Sequence, residues 1–454
     1  MIENQQLSFS EANCMACFEG TNEKQRSTGR RVCVALKYLL CLTLVTLLWT
    51  GYGRALGIGL KNSLELGVSG EVTTGDRHKT FVTQRSWAQY SPYFPVEEYK
   101  PPPSGCIVDQ VNILQRHGAR FPTSGASSNI ISAINKLKAV QNSFSDPNML
   151  FIRSYKYDLG QNDLVELGAK QSSDSGTEVF NRYSHLVSRR NLPFVRSDSS
   201  ERVVLSALNW TEGFSIASNF VYQPPLSVMI PQDSNNTLDD HMCPAAGKPD
   251  EEDYVWLSKF ALEIQRRLEV AAPGSNLNLY EVYALGTLCA FDSVAHSATS
   301  PIILSPWCSL FNQTDFENLE YAGDLDKYYG TGYGQPLGAV QGVGYTNELL
   351  ARLMDQPVRD HTQTNSTLDR NEETFPLGRG IYIDFSHDNQ MIAIYSAIGL
   401  FPQPVPLDTT PDQNIPDPKR TWKVGEMVVG SAFESSILEE EKRFTTKIRE
   451  DFGK

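Results

Sequence analysis

An alternating stretch from Cys106 to Leu114, with Val111 and Ile113 set against Gln110 and Asn112, reads as a β-strand. It runs without a spacer into Gln115-Arg116-His117-Gly118-Ala119-Arg120-Phe121-Pro122-Thr123. No other feature constrains the chain as much, because a strand ending in a tight turn presents side chains at the carboxyl edge of a sheet, where open α/β folds bind ligands. Gly118 suits a sharp backbone turn after the histidine. Far along the chain, Ile381-Tyr-Ile-Asp-Phe385 reads as a second strand and ends in Ser386-His387-Asp388-Asn389. A third segment, Arg196-Ser-Asp-Ser-Ser-Glu-Arg202, follows the apolar Leu192-Pro-Phe-Val195 and offers one more guanidinium at a strand end.

These residue types suit phosphoryl chemistry. Guanidinium forks match the oxygens of a phosphate monoester with charge-assisted, often bidentate bonds. A histidine set between such forks can attack phosphorus, since neutral imidazole is a good nucleophile at mildly acid pH. A carboxylic acid nearby can protonate the leaving alkoxide and later take a proton from water. An aspartate facing a phosphate dianion is expected to have a raised pKa, which suits that role. Taken singly, the first two segments read more plainly as a surface Arg-His-Arg cluster and a structural His-Asp pair. A solvated turn is an equal reading of the third. Together they supply a nucleophile, an acid and a cationic cradle.

Between the two strands lie helical patterns. Glu251 to Leu268 places Leu257, Phe260, Ala261, Ile264 and Leu268 on one face, with acids in its first turn, Arg266 and Arg267 in its last, and Pro273-Gly274 stopping the chain. Tyr345 to Met354 is another candidate, ended by Pro357. Strands towards the ends and helices between imply an α/β domain with a helical insertion, roughly within 130–330 of a folded unit spanning 86–454. The net charge of -13 and the absence of Lys/Arg blocks argue against a nucleic-acid or anionic-membrane partner. They leave a small anionic substrate open, since a few arginines in one pocket outweigh the average charge.

The first 85 residues are of another kind. Val32 to Tyr52 is mostly apolar, broken by Lys37 and preceded by Lys24, Arg26, Arg30 and Arg31. The basic flank predicts that residues 1–31 stay cytosolic and the rest is translocated. The uninterrupted part, Tyr38 to Trp49, has the length of a signal-peptide core, while the whole run can span a bilayer if Lys37 snorkels. Residues 32–52 are therefore either a single-pass signal anchor or a cleaved signal peptide, and 53–85, rich in Gly, Thr and Ser, reads as a linker. Sequons follow at Asn209, Asn235, Asn312 and Asn365. With the leader they point to an oxidising, extracellular or cell-surface compartment. Cys14-Met-Ala-Cys17 has the spacing of half a metal or redox motif, but no second pair lies near it.

The full set of segments resembles the histidine acid phosphatases, and among them the fungal phytases, which carry Arg-His-Gly-x-Arg-x-Pro near the start and a His-Asp pair near the end. The resemblance runs from about Trp87 to Phe401 and includes Tyr157-Asp-Leu-Gly160, Cys289-Ala-Phe-Asp-Ser293, Ser305-Pro-Trp-Cys308, Lys327-Tyr-Tyr-Gly330 and Gly344-Tyr-Thr-Asn-Glu-Leu349. It implies a larger α/β domain with a central sheet and a smaller inserted α-helical domain, the active site lying between them. It implies that His117 becomes phosphorylated, that Arg116, Arg120, Arg196 and His387 bind phosphate oxygens, and that Asp388 is the general acid. No metal or cofactor is implied, since the arginines supply the positive charge. The resemblance also implies a Cys289–Cys308 disulfide and a position near the substrate for Asp292.

The chain departs from the family in two respects. The stretch Ser124-Gly-Ala-Ser-Ser-Asn129 holds no lysine, and Asp315-Phe-Glu-Asn-Leu-Glu320 is acidic where some relatives carry a lysine pair. Fewer cations weaken strict phytate specificity and keep a broad acid phosphatase in view. A binding protein that keeps the fold without activity is disfavoured by the intact histidine, aspartate and arginines. After Trp422, where the family has a strand and further cysteines, this chain continues with Lys423 to Val429 and a charged tail, so 423–454 is expected to lack that strand. The family partners of Cys106 and Cys243 are then missing: the two pair with each other, or remain free, or the sequence is truncated or alternatively ended.

Overall fold

In the computed structural model, the described residues are 83–410, 422–429 and 433–436, apart from 97, 98, 100, 104 and 300. The expected leader and most of the linker, with Cys14, Cys17, Cys33 and Cys41, lie outside them, as does 437–454. Among the described residues no helix is long and apolar enough to cross a membrane. The folded part begins earlier than Trp87: Thr83 and Gln84, expected at the end of the linker, are already buried.

Five strands form one sheet: β1 (Val111–Arg116), β2 (Phe194–Asp198), β3 (Leu226–Ile230), β4 (Ile381–Ser386) and β5 (Phe433–Ser436), in the order β3-β2-β4-β1-β5. The first four run parallel, and β5 runs antiparallel to β1. The expected strand over Cys106–Leu114 is shifted, starting at Val111 and running through Arg116. The expectation that the tail lacks a closing strand is corrected: Phe433–Ser436 pairs with Val111–Leu114. Trp422 and Val424 before it are fully buried, Trp422 lying edge-on to Tyr328 and the Val424 N–H donating to Asp324 Oδ1 at 2.8 Å.

Period-two alternation decides what each face of the sheet buries. Val111 and Ile113 of β1, Val195 of β2, and Ile381, Ile383 and Phe385 of β4 face one way. They pack against Val203, Ala207, Trp210 and Phe214 of α3 (Glu201–Ala217) and against α2 (Glu166–Tyr183). The two helices pack at very short range: a Cβ built on Gly213 would stand 1.9 Å from the Ser173 carbonyl oxygen. Leu114, Phe194 and Tyr382 face the other way, into a second core with Tyr345 and Leu349 of α7 (Gly338–Met354) and Met391, Ile392 and Ile394 of α8 (Asp388–Ile398).

The same core continues through a group of helices comprising α1 (Ser124–Ala139), α4 (Asp250–Ala271), α5 (Leu279–Ala295) and α6 (Gln313–Gly330). α4 extends the expected Glu251–Leu268 helix by a residue before and a short stretch after. Asn278 and Asn312 cap α5 and α6 with reciprocal side-chain and backbone bonds. Cys289 of α5 and Cys308 are joined by a disulfide, while Cys106 and Cys243 form none among the described residues.

Candidate active site

Parallel pairing brings the ends of β1, β2 and β4 to one sheet edge. Arg116 sits opposite Ser386 in the ladder, and the His117 N–H donates to the Ser386 carbonyl at 3.1 Å. His117 and His387, remote in sequence, thus lie with ring centroids 5.6 Å apart. Gly118 is needed for a different reason from the one the sequence suggested. Its φ is not positive, but a Cβ there would stand 2.3 Å from the Gly168 carbonyl oxygen at the start of α2. The loop carrying His117 is pressed against that helix, and the Gly118 N–H donates to Ser206 Oγ of α3 at 3.0 Å.

His117 is 3% exposed. Its Nδ1 lies 2.8 Å from the Gly118 carbonyl, which can only accept, so Nδ1 carries the proton and Nε2 keeps its lone pair. Burial, together with the charges of Arg116, Arg120, His387 and Arg202, holds the imidazole well below its ordinary pKa. These neighbours favour the neutral ring, in which Nε2 keeps its lone pair. Two buried guanidinium nitrogens around it, Arg120 Nε and Arg202 Nε, have no hydrogen-bond partner among the described residues. Burial and neighbouring Arg116 bring the Arg120 guanidinium down to about 10. Unpaired donors on buried cations are the signature of a cradle for an anion.

His387 caps the N-terminus of α8, where the helix dipole favours negative charge. Its Nε2 lies 2.9 Å from Asp198 Oδ2 and its Nδ1 3.2 Å from an Arg202 nitrogen. Because arginine only donates, Nδ1 accepts and Nε2–H points to Asp198. Asp239 lies within the same group: an oxygen each of Asp198 and Asp239 and a ring nitrogen of His387 all lie within 4.8 Å of one another. The hydrogen bonds already made among Asp198, Ser200 and His387 account for that grouping as an ion-pair network.

Asp388 opens α8. Burial alone would raise its carboxyl, but Lys327, Arg116, His117 and Arg120 hold it well below the ordinary carboxylate range. Arg116 Nε donates to Oδ2 at 2.9 Å, and Lys327 Nζ lies 3.3 Å from Oδ1. The protein's own cations thus lower this carboxyl, whereas the expected rise is the effect of a facing phosphate dianion. Lys327 of α6 went unassigned in the sequence, although its segment was recognised. Nothing in Asp326-Lys327-Tyr328 signals that a helix from the helical group turns its ammonium onto the far strand end. The Lys327 ammonium also donates to Asn389 Oδ1 at 2.5 Å.

Arg196 does not join this site. It sits at the centre of β2, 1% exposed, with Nε on Asp384 Oδ1 at 2.6 Å and a terminal nitrogen on Glu348 Oε2 at 2.6 Å. The guanidinium that the site receives from this segment is Arg202, in the first turn of α3. The physical reason is register: β2 runs on to Asp198, so Arg196 lies inside the ladder opposite Asp384. Asp292 is also engaged elsewhere, accepting from Tyr155 at 2.8 Å and Ser305 at 2.6 Å. Of the sequon asparagines, Asn235 and Asn312 are exposed, and Asn209 and Asn365 are half-buried.

A strand-borne Arg-His pair, a His-Asp pair heading a helix and a cradle of arginines are joined by a match over most of the folded part. Residues 107–431 match the family model of the histidine phosphatase superfamily (branch 2). The chain belongs to that family. It is 41% identical over 339 residues to phytase A of Emericella nidulans, covering 71% of this chain and 73% of the relative. It is 39% identical over 343 residues to phytase A of Aspergillus fumigatus, covering 72% and 73%. The phytase from D. castellii shares the fold with a TM-score of 0.63 at 20% identity, over 80% of this chain and 77% of that one. The multiple inositol polyphosphate phosphatase of Bifidobacterium longum, in complex with inositol hexasulfate, does so with a TM-score of 0.56 at 13% identity, over 78% and 89%.

Proposed function

We propose that this histidine phosphatase hydrolyses phosphomonoesters, phytate foremost, through a phosphohistidine on His117. The observation that carries the reading is the neutral, buried His117 with a free Nε2, ringed by Arg116, Arg120, Arg202 and His387. His117 Nε2 attacks phosphorus in line, the P–O bond to the alcohol breaks, and the guanidinium groups take up the charge of the equatorial oxygens. Asp388 gives the departing alkoxide a proton, then takes one from the water that attacks the phosphohistidine, so that phosphate leaves and the acid is restored. A substrate dianion arms that acid: it competes for Arg116 and adds negative charge beside the carboxyl, both of which raise its pKa. Phytate is the substrate of choice because the phytases A match along most of their length.

Acidic Asp240 and Asp326 beside the site favour a second reading, a broad acid phosphatase. Phosphate release from phytate and from 4-nitrophenyl phosphate at acid pH, with no metal added, separates the two. Acid-labile label recovered on His117 after a rapid quench tests the intermediate. The disulfide supports an oxidising, extracellular or cell-surface location, with Asn235 and Asn312 the best-exposed glycan acceptors. Whether residues 32–52 anchor the chain or are cleaved is read by sizing the exported protein.

A further inference from the structure

The segment Asp239-Asp240-His241 touches both arms of the catalytic machinery. Asp239, 1% exposed, stands beside Asp198 and His387 and accepts from Gln232 Nε2 at 3.0 Å. Asp240 accepts from Asn389 Nδ2 at 2.6 Å, and Asn389 in turn holds Lys327. His241 docks its Nδ1 on Asp239 Oδ1, with Asp240 Oδ1 3.6 Å away, yet 70% of its side chain is exposed. Among the described residues its Nε2 has no protein partner. A histidine so placed is anchored on its inner nitrogen and open on its outer one, and its anchor, Asp239, stands beside His387.

We propose that His241 is a substrate-binding residue for polyphosphorylated esters: protonated, it offers Nε2–H to a phosphate neighbouring the one held at His117. This deepens the phytate reading and rests on it. The charged groups facing His241 are Asp239 and Asp240 of its own segment and Asp198 at the end of β2, all acidic. With His241 neutral, Asp239 and Asp240 present two negative charges to an incoming polyanion. Protonation cancels one of them and turns the outer nitrogen from acceptor to donor. The hydrogen bond to Asp239 holds the imidazolium above its ordinary pKa against partial burial, and the three carboxylates add to it. Protonated, the rim carries one negative charge fewer and a donor at Nε2; deprotonated, it loses both. This supplies a pH-dependent cation where Ser124–Asn129 provides no lysine.

Inositol hexasulfate is the probe, because its sulfates stay ionised throughout and any pH dependence then belongs to the protein. Its affinity is measured by calorimetry at pH 5 and pH 8.5 for the full chain and for His241→Gln and His241→Lys, with inorganic sulfate as the probe of the cradle alone. At pH 5, His241→Gln weakens hexasulfate on the order of fivefold, as expected for a largely exposed charge contact, while His241→Lys keeps it. At pH 8.5, His241→Gln matches the wild type and His241→Lys binds more tightly by about the same factor. Sulfate affinity is the same in all three at each pH. Equal hexasulfate affinity of His241→Gln and wild type at pH 5 overturns the proposal. So does a parallel loss of sulfate, which would mean that His241 acts only by holding Asp239. Phytate turnover relative to 4-nitrophenyl phosphate is measured on the same wild-type sample. Its absence sinks the phytate reading, whereas turnover with unchanged hexasulfate binding in His241→Gln sinks this inference alone.

Discussion

Lys327 Nζ lies 3.3 Å from Asp388 Oδ1 while Arg116 Nε holds Oδ2 at 2.9 Å, so both oxygens of the proposed general acid face cations before substrate arrives. A carboxyl held ionised cannot donate a proton. In the mechanism proposed above, protonation of Asp388 therefore follows the binding of an anion. Lys327 itself stays charged: burial works against its ammonium, but Asp326 and Asp388 more than offset it.

Replacing Lys327 by Met should therefore move the pH profile. With one cation gone, the Asp388 carboxyl rises, and the alkaline limb of kcat for phytate should shift upward by about one pH unit. KM should rise as well, because a charge near the phosphate is lost. The measurement is kcat against pH for both proteins. An alkaline limb that stays in place would show that Lys327 does not set the acid.

Arg196 and Arg202 should fail in opposite ways. Arg196→Ala takes the guanidinium away from buried Glu348 and leaves Asp384 with Arg352 alone, and should cost about 3 kcal/mol of stability, at the low end for broken buried pairs. Arg202→Ala removes a half-buried side chain at the site, so its melting temperature should stay close to the wild type while KM for phosphate esters rises steeply. Thermal unfolding and steady-state kinetics on both variants decide this. A stable Arg196→Ala that has lost substrate affinity would restore Arg196 to the cradle.

The pattern of these two arginines shows what the sequence can and cannot tell. His117, His387 and Asp388 were legible because each follows an alternating strand directly, and strand ends in a parallel sheet must meet at one edge. The helix over Asp250–Ala271 was legible from its spacing and acidic first turn. Arg196 was misplaced because the strand around it runs on to Asp198, and polar Ser197 and Asp198 gave no apolar signal for its end. Lys327 and His241 were missed because their roles depend on which elements pack together. The closing strand Phe433–Ser436 was missed because its pairing with β1 is a long-range choice that local propensity does not encode.

Asp369 predicts a pH dependence of stability separate from catalysis. Both its carboxyl oxygens are buried without a hydrogen-bond partner among the described residues, and burial, reinforced by Glu348 against the pull of Arg196 and Arg352, lifts it to about 7. The folded pKa lies above the unfolded value of about 3.9, so the native state binds the extra proton between the two. Stability should fall as pH rises from roughly 4 to 7 and level off above. Asp369→Asn should remove this slope, gaining up to roughly 4 kcal/mol over wild type at pH 8 and nothing at pH 4. Urea unfolding at the two pH values measures it, and an equal difference at both would remove the carboxyl as the cause.

His117 and Asp388 should be separable by the leaving group. His117→Ala removes the nucleophile, so no phosphoenzyme can form on any substrate. Asp388→Asn keeps the shape and can still accept from Arg116, but it cannot give up a carboxylic proton. Its defect should be severe, on the order of a hundredfold or more, for phytate, whose alkoxide leaves badly unprotonated. It should be much milder for 4-nitrophenyl phosphate, whose phenolate departs without help. Phosphate binding should survive, because Arg116, Arg120 and Arg202 remain in place and Arg116 is released from a competing carboxylate. Single-turnover rates on both substrates, with acid-labile label sought on histidine, test the assignment. Equal losses on the two substrates would remove Asp388 as general acid, and a phosphoenzyme persisting in His117→Ala would remove His117 as the nucleophile.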